Sequence, residues 1–271
     1  MLKQRVITAL FLVFCLVLVA FFFNEFAYFV FLSLTTLLAI WEWSRLAGFA
    51  QSGFRFLYCL VFLALLLFAY YGFRTALDPV LILSLLFWGL ALLFVIRYPS
   101  QAVWWNNKAL LAAVGLIVIF PCWYGLLGLH GNAHFAFSFL GLFLLVGAAD
   151  SGAYFAGKHF GQRKLAPQVS PNKTWEGVLG GFVACVLLAL VYGLIFKFAY
   201  SERFPWGFAL ISPLLICLFS ITGDLFESML KRERNIKDSG NILPGHGGIL
   251  DRIDGVVAAA PVYLLLTEYF L

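Results

Sequence analysis

Long apolar runs separated by short polar breaks dominate this chain of 271 residues. A helix that crosses the hydrocarbon core of a bilayer needs about 20 predominantly apolar residues. The runs therefore predict nine membrane-spanning helices, at residues 6–23, 26–41, 56–73, 79–96, 109–128, 133–149, 177–196, 207–223 and 256–271. The predicted fold class is an all-α, polytopic integral membrane protein.

The composition supports a protein that is solvated by lipid. Hydrophobic residues make up 63% of the chain and charged residues only 11%, whereas about 25% of a typical soluble chain is charged. So few charges cannot cover a water-exposed surface. The net charge of +5 is expected to mark loops on one side of the membrane and does not indicate a nucleic-acid partner.

The distribution of basic residues predicts the orientation. Nine spans with the N-terminus in the cytoplasm place 15 of the 18 Lys and Arg residues on the cytoplasmic side. The exceptions are Arg74, Lys197 and Arg203. Cytoplasmic loops carry an excess of Lys and Arg, so we expect this orientation and an odd number of spans.

The two halves of the chain differ in their loops. Residues 1–149 have short, chemically plain loops and are expected to form N-terminal membrane scaffold helices. Residues 150–271 contain two long polar segments, 150–176 and 224–255, and most of the thirteen carboxylates. Both polar segments are cytoplasmic in the predicted topology, so the second half is expected to be the working region.

The segment 224–255 combines carboxylates, cations and a glycine turn at a membrane edge. A stop-transfer loop would explain the cations only. Asp251 and Asp254 share a helix face at i,i+3, and Asp224 and Ser228 do so at i,i+4. Carboxylates of this kind hold Mg²⁺ together with phosphate oxygens and water, while Lys and Arg bind further phosphate oxygens. The segment therefore predicts a phosphate-and-metal site.

The segment 150–176 permits two interpretations. Gly157-x-x-x-Gly161 favours close packing of helices through small residues. Residues Ser170–Gly177 have the Ser, Pro and Thr that are typical of a helix start. Lys173 and the hydroxyl groups could equally bind phosphate at that helix N-terminus.

For three further residues a structural role is an alternative to a role in the site. His246 fits either a hydrogen bond that stabilises the glycine turn or a contact to phosphate or to a transferred proton. Glu42 and Arg45 are spaced i,i+3 at the end of the second predicted span, which favours a simple ion pair over a catalytic role.

One continuous string of 27 residues resembles a known family signature. It reads Ser228-x-Leu230-Lys231-Arg232-x(4)-Lys237-Asp238-x-Gly240-x(2)-Leu243-Pro244-x-His246-Gly247-Gly248-Ile249-x-Asp251-Arg252-Ile253-Asp254. It is similar to the signature of phosphatidate cytidylyltransferases, the CDP-diglyceride synthases, and departs from it nowhere. Asp150-x-x-Ala153-Tyr154 and Ser170–Gly177 are similar to further stretches of the family. The resemblance covers about the last 120 positions.

The resemblance implies an activity and a set of site residues. It implies transfer of CMP from CTP to phosphatidic acid, which yields CDP-diacylglycerol and pyrophosphate, with Mg²⁺ held by Asp224 and Asp251. A second cation and a homodimer stay open. The catalytic candidates are Asp224, Asp251, Asp254, Lys237 and His246. The substrate-contact candidates are Asp150, Ser170, Asn172, Lys173, Thr174, Glu176, Ser228, Lys231, Arg232, Asp238, Gly247, Gly248 and Arg252.

Two other functions remain as alternatives. A CTP-dependent lipid kinase would use similar phosphate chemistry but would transfer the γ-phosphoryl group. A membrane transporter would place ionisable groups near the bilayer midplane in broken, repeated helices, whereas this sequence collects them at one face. The expected setting is a multi-pass protein of a bacterial-type inner (plasma) membrane, surrounded by membrane lipid, with the active site facing the cytoplasm.

Overall fold

The computed structural model describes residues 2–72, 78–100, 105–200 and 205–270. Within these ranges the helices are α1 (Leu2–Phe22), α2 (Glu25–Leu46), α3 (Ser52–Gly72), α4 (Asp78–Arg97), α5 (Lys108–Leu129), α6 (Phe135–Phe160), α7 (Trp175–Tyr200), α8 (Trp206–Glu233) and α9 (Leu250–Phe270). Eight of them are long and apolar enough to cross a membrane, and α1 contributes the shorter apolar helix Val6–Phe22. The all-α polytopic fold is thus confirmed. Arg74 and Arg203 lie outside the described residues.

Two helices continue far beyond the ends of their predicted spans. The sequence predicts ends at residues 149 and 223, whereas α6 ends at Phe160 and α8 at Glu233. Hydropathy marks where a helix leaves the lipid, but the backbone hydrogen bonds of a helix do not depend on apolar side chains. Much of each polar segment is therefore helical, and its charged side chains are held on rigid elements.

A small hairpin follows α6, where the sequence predicts the start of a helix. Strands β1 (Lys164–Ala166) and β2 (Ser170–Thr174) pair antiparallel, with Ala166 opposite Ser170. Helix α7 begins only at Trp175, and the Thr174 hydroxyl accepts a hydrogen bond from the backbone N–H of Gly177 at 3.1 Å. The Thr174 cap fits the helix entry that the sequence favours at Ser170–Gly177, and the strand that precedes it was not predicted.

Close backbone contacts fix the helices that carry the polar residues. Helices α6 and α7 meet through small residues, because a Cβ atom on Gly152 or Gly180 would collide with the other helix. Gly157 lies against Gly177, as expected for small-residue packing. Helices α8 and α9 approach so closely at Gly223 that a side chain there would strike the backbone of Asp254.

Candidate active site

Four carboxylates from three helices meet at one end of the bundle. Asp150 comes from the C-terminal part of α6, Asp224 and Glu227 from α8, and Asp254 from α9. Their charges interact: Asp254 with both Asp224 and Asp150, and Glu227 with Asp254. The close approach of α8 and α9 at Gly223 brings Asp224 and Asp254 to the same level.

Glu227 belongs to this cluster, although the sequence assigns it no individual role beyond its place in the segment 224–255. Its side chain is buried, with 3% of the residue exposed, and in the described part of the chain neither carboxylate oxygen has a hydrogen-bond partner. The ammonium of Lys231 lies 3.3 Å from Oε2, and the carboxyl group of Asp254 is also close. Its i,i+3 spacing from Asp224 and its i,i+4 spacing to Lys231 were the available signals.

The hairpin and α8 are joined by an ion pair. The Nζ atom of Lys173, in β2, lies 2.5 Å from Oδ2 of Asp224, and the Ser228 hydroxyl donates to Oδ1 of the same carboxylate at 3.2 Å. The predicted i,i+4 relation of Asp224 and Ser228 is therefore present as a direct contact. Lys173 thus connects the two polar segments in a single site.

Asp251 is bonded on both oxygens by the protein itself. Oδ1 accepts from Lys231 Nζ at 2.8 Å and from the Ser239 N–H at 3.2 Å. Oδ2 accepts from the N–H groups of Ser239 at 2.9 Å and Gly248 at 2.8 Å. Asp251 therefore fixes the loop between α8 and α9, and the Gly248 N–H points at this carboxylate.

The glycine turn in this loop has the backbone that its sequence suggests. Gly245 and Gly247 have φ angles of +76° and +80°, which are accessible to glycine at little cost. The His246 N–H donates to the Leu243 carbonyl at 3.0 Å, which stabilises the turn. The ring nitrogen Nδ1 of His246 is buried without a partner among the described residues, so the ring can still serve a ligand.

Two cavities are lined by residues of the polar segments. The loop cavity, of about 580 Å³, has a mainly polar wall that includes Lys237, Asp238, His246, Gly247 and Arg252. The hairpin cavity, of about 550 Å³, combines charged and polar groups with apolar ones and includes Asp150, Asn172, Lys173, Thr174, Asp224, Leu165, Val178 and Ile221. Arg252 in the wall of the loop cavity and Asp150 in the wall of the hairpin cavity lie within range of a charge interaction.

Several other candidates have structural partners around the hairpin. Arg232 donates from Nε to the Val169 carbonyl at 3.2 Å. Glu176 accepts from the N–H groups of Gln162 and Arg163 at 3.1 and 3.2 Å. Ser170 pairs with Ala166 in the ladder and is not in the wall of either cavity.

Glu42 and Arg45 do not form the simple ion pair that their spacing suggests. In the described part of the chain, Glu42 accepts from the N–H of Leu250 at 2.8 Å and from the Ser239 hydroxyl at 3.3 Å. Arg45 donates to the Ser239 carbonyl at 3.1 Å. Both side chains therefore bind the loop between α8 and α9, and the only signal in the sequence was a carboxylate inside an apolar span.

The donor chemistry of the site is compatible with a hard cation. Asp150, Asp224, Glu227 and Asp254 offer carboxylate oxygens, the ligand type that Mg²⁺ takes. Two Glu227 oxygens are buried and lack a hydrogen-bond partner among the described residues. No three His, Cys, Asp or Glu side chains in those residues form a ready metal site. Mg²⁺ often uses only one or two carboxylates and completes its shell with substrate phosphates and water.

Comparison with known proteins gives one consistent result. The sequence matches the Cytidylyltransferase family over residues 3–270. It is 43% identical to a phosphatidate cytidylyltransferase of Pseudomonas aeruginosa, over 98% of this chain and 97% of the relative. It is 39% identical to the enzyme of that name from Haemophilus influenzae, over 97% of each chain. A third, from Bacillus subtilis, is 47% identical over 47% of this chain and 46% of its own length.

Proposed function

The chain belongs to the cytidylyltransferase family, and from that premise we propose that it is a phosphatidate cytidylyltransferase. It transfers CMP from CTP to phosphatidic acid and releases pyrophosphate and CDP-diacylglycerol. The observation that carries this proposal is the contact of Lys173 with Asp224, because it joins the two polar segments beside the carboxylate cluster. The names of the relatives do not favour the CTP-dependent lipid kinase or the transporter.

The two cavities suit the two substrates. CTP is a polar polyanion, and the loop cavity offers it Lys237, Arg252 and His246 in a mainly polar wall. Phosphatidic acid joins a phosphate to a glyceride, and the hairpin cavity offers Lys173 together with apolar residues such as Val178. Arginine and lysine bind phosphate through charge-assisted hydrogen bonds. The charge interaction between Arg252 and Asp150 supports an arrangement in which the two substrates bind near each other.

The reaction is a single in-line displacement. An anionic phosphate oxygen of phosphatidic acid forms a bond to the α-phosphorus of CTP, and the bond from that phosphorus to the oxygen of the β-phosphate breaks. Pyrophosphate leaves with the electron pair. The nucleophile is already ionised at neutral pH, so the protein needs no strong base. Its contribution is positioning and charge stabilisation, which Lys173, Lys237 and Arg252 are placed to provide.

Magnesium is part of this proposal. Asp224 and Asp251 are the ligands that the family resemblance suggests, with Asp254 and Ser228 beside Asp224 to complete or orient the shell. The ion would neutralise phosphate charge while CTP is bound. Asp251 is engaged with Lys231 and two backbone N–H groups, so it would have to exchange a partner to bind the metal. A second cation and a homodimer remain predictions.

The location is proposed from charge and from the substrates. Lys158, Lys164, Lys173, Lys231 and Arg252 all lie at or beside the site, and basic residues mark the cytoplasmic side. CTP is a cytoplasmic solute, and a lipid phosphate lies at the membrane interface. We therefore place the active site at the cytoplasmic face of a bacterial inner membrane, in line with the bacterial relatives.

The function is tested with labelled CTP. The full chain in detergent, with phosphatidic acid and Mg²⁺, should transfer label to lipid from α-labelled CTP and none from γ-labelled CTP. Removal of Mg²⁺ by a chelator should stop the transfer, and added Mg²⁺ should restore it. Label from γ-labelled CTP in the lipid would show a kinase instead. Lys197→Gln, which changes an exposed lysine near the end of α7 remote from the hairpin, is the control and should keep full activity.

A further inference from the structure

A deeply buried carboxylate of the N-terminal half binds the loop of the site. Glu42, near the C-terminal end of α2, is 1% exposed. Its Oε2 accepts the N–H of Leu250, the first residue of α9, at 2.8 Å. The first N–H groups of a helix have no partner within that helix, and a carboxylate placed there is favourable. Glu42 therefore caps α9 from a distant helix.

The loop is shaped to enclose this carboxylate. Gly240 and Gly248 lie against it so closely that a Cβ atom on either would overlap the Glu42 carboxylate. The Ser239 hydroxyl donates to the same Oε2 at 3.3 Å, and Ser239 is fully buried. These contacts involve residues on both sides of the glycine turn, so Glu42 holds the two ends of the loop together.

Ser239 connects Glu42 with Asp251. Its hydroxyl is bound by Glu42, its N–H by Asp251 and its carbonyl by Arg45. A shift of Ser239 would therefore disturb the backbone donors of Asp251. Between the two ends that Glu42 holds lie Asn241 to Gly247, which form most of the wall of the loop cavity.

We propose that Glu42 is a positioning residue, which fixes Ser239 and the N-terminus of α9 and thereby shapes the cavity that receives the polyphosphate of CTP. The identity of the ligand rests on the proposed function, whereas the structural part of the proposal is independent of it. Glu42 is in the wall of neither the loop cavity nor the hairpin cavity. Its effect on turnover passes through the loop, where a displacement of about 1 Å can cost a factor of about 100 in rate.

The structural part is tested by hydrogen exchange in the full chain. Glu42→Ala should raise deuterium uptake in peptides covering residues 238–250, because the N–H of Leu250 loses its acceptor and Ser239 loses a partner. Glu42→Gln keeps one oxygen for Leu250 and should raise uptake less. Glu25→Gln changes the carboxylate in the first turn of the same helix and is the control. Unchanged uptake in Glu42→Ala would overturn the proposal, whatever the activity.

Kinetics test the link to the nucleotide. Glu42→Gln should raise the KM for CTP about tenfold and leave the KM for phosphatidic acid within twofold. Ser239→Ala removes only the hydroxyl partner, and its effect should not add to that of Glu42→Gln, since both act through one contact. Equal changes in both KM values, or full additivity, would refute the positioning role. Absence of cytidylyl transfer in the unmodified chain would instead refute the proposed function and leave the exchange result standing.

Discussion

The two polar segments differ in what holds their backbone. The hairpin of β1 and β2 is held by its own strand pairing, by Glu176 at the start of the adjoining α7, and by one bond from the more remote Arg232 to Val169. The loop between α8 and α9 is held by side chains from remote helices: Glu42 and Arg45 of α2, and Thr8 of α1, whose hydroxyl donates to the Pro244 carbonyl at 3.1 Å. The first segment is therefore locally self-supporting, and the second depends on the whole fold.

This difference determines which charged groups are free for a substrate. In the hairpin the strand pairing satisfies the backbone, so Lys164 and Asn172 remain exposed in the wall of the hairpin cavity. In the loop the backbone N–H groups of Ser239 and Gly248 are satisfied by the Asp251 carboxylate. A motif residue in the loop can thus be essential because it holds the structure, whereas one in the hairpin has to act on the ligand to be essential.

The largest effects are expected from a matched pair of aspartate changes. Asp224→Asn and Asp251→Asn should each lower CMP transfer by on the order of 10³-fold, because each removes a charge from a site built for phosphate. Only Asp251→Asn should raise deuterium uptake in residues 238–250, since Asp251 alone binds the N–H of Ser239 and Gly248. Membrane insertion should persist in both.

The two variants test the roles of Asp224 and Asp251 independently. Wild-type turnover in one variant would remove that residue from the mechanism. Equal uptake in the two variants would show that the loop does not depend on the Asp251 carboxylate, and the contrast between the two segments would then be lost. Glu268→Gln, a carboxylate change near the opposite end of α9, provides the control for both assays.

The membrane fold could be predicted because the bilayer demands one simple property from each span. A run of apolar residues was sufficient to locate each of the nine helices in the described part of the chain. The continuation of α8 to Glu233 was not predictable from hydropathy, because a helix end in the polar region depends on capping and packing. The short hairpin was missed for a related reason: Ser170, Pro171 and Thr174 favour turns and caps, and only pairing with β1 makes them a strand.

The site could be predicted only where it is local in sequence. Asp224 and Ser228 are four residues apart, and their contact follows from the period of the helix. Glu42 and Leu250 are 208 residues apart, and no spacing rule connects them. Glu42 was read as an ordinary ion-pair residue because its neighbour Arg45 satisfies the local pattern. Residues that act through tertiary contacts need the fold before they can be recognised.

A smaller effect is expected for Lys173. Lys173→Gln should lower CMP transfer about tenfold, because it removes one charge-assisted contact to phosphate, and Lys173→Arg should keep more of the activity. The KM for phosphatidic acid should rise more than the KM for CTP, since Lys173 lies in the hairpin cavity. If the KM for CTP rose more than the KM for phosphatidic acid, the assignment of the two substrates to the two cavities would have to be reversed. Lys197→Gln is again the control.

The smallest effect is expected for a substitution of Thr174, which tests whether the hairpin is self-supporting. The hydroxyl caps α7 through the Gly177 N–H at 3.1 Å, and the residue is 5% exposed. Loss of such a cap costs about 1 kcal/mol, so Thr174→Ala should lower the Tm of the detergent-solubilised chain, while Thr174→Ser should restore it. Turnover should change only a few-fold, and uptake in residues 238–250 should stay the same.

A large rise in the KM for phosphatidic acid with an unchanged Tm would instead make Thr174 a substrate contact. Because Thr174 also lines the hairpin cavity, only the combined thermal and kinetic readouts separate a helix cap from a ligand contact.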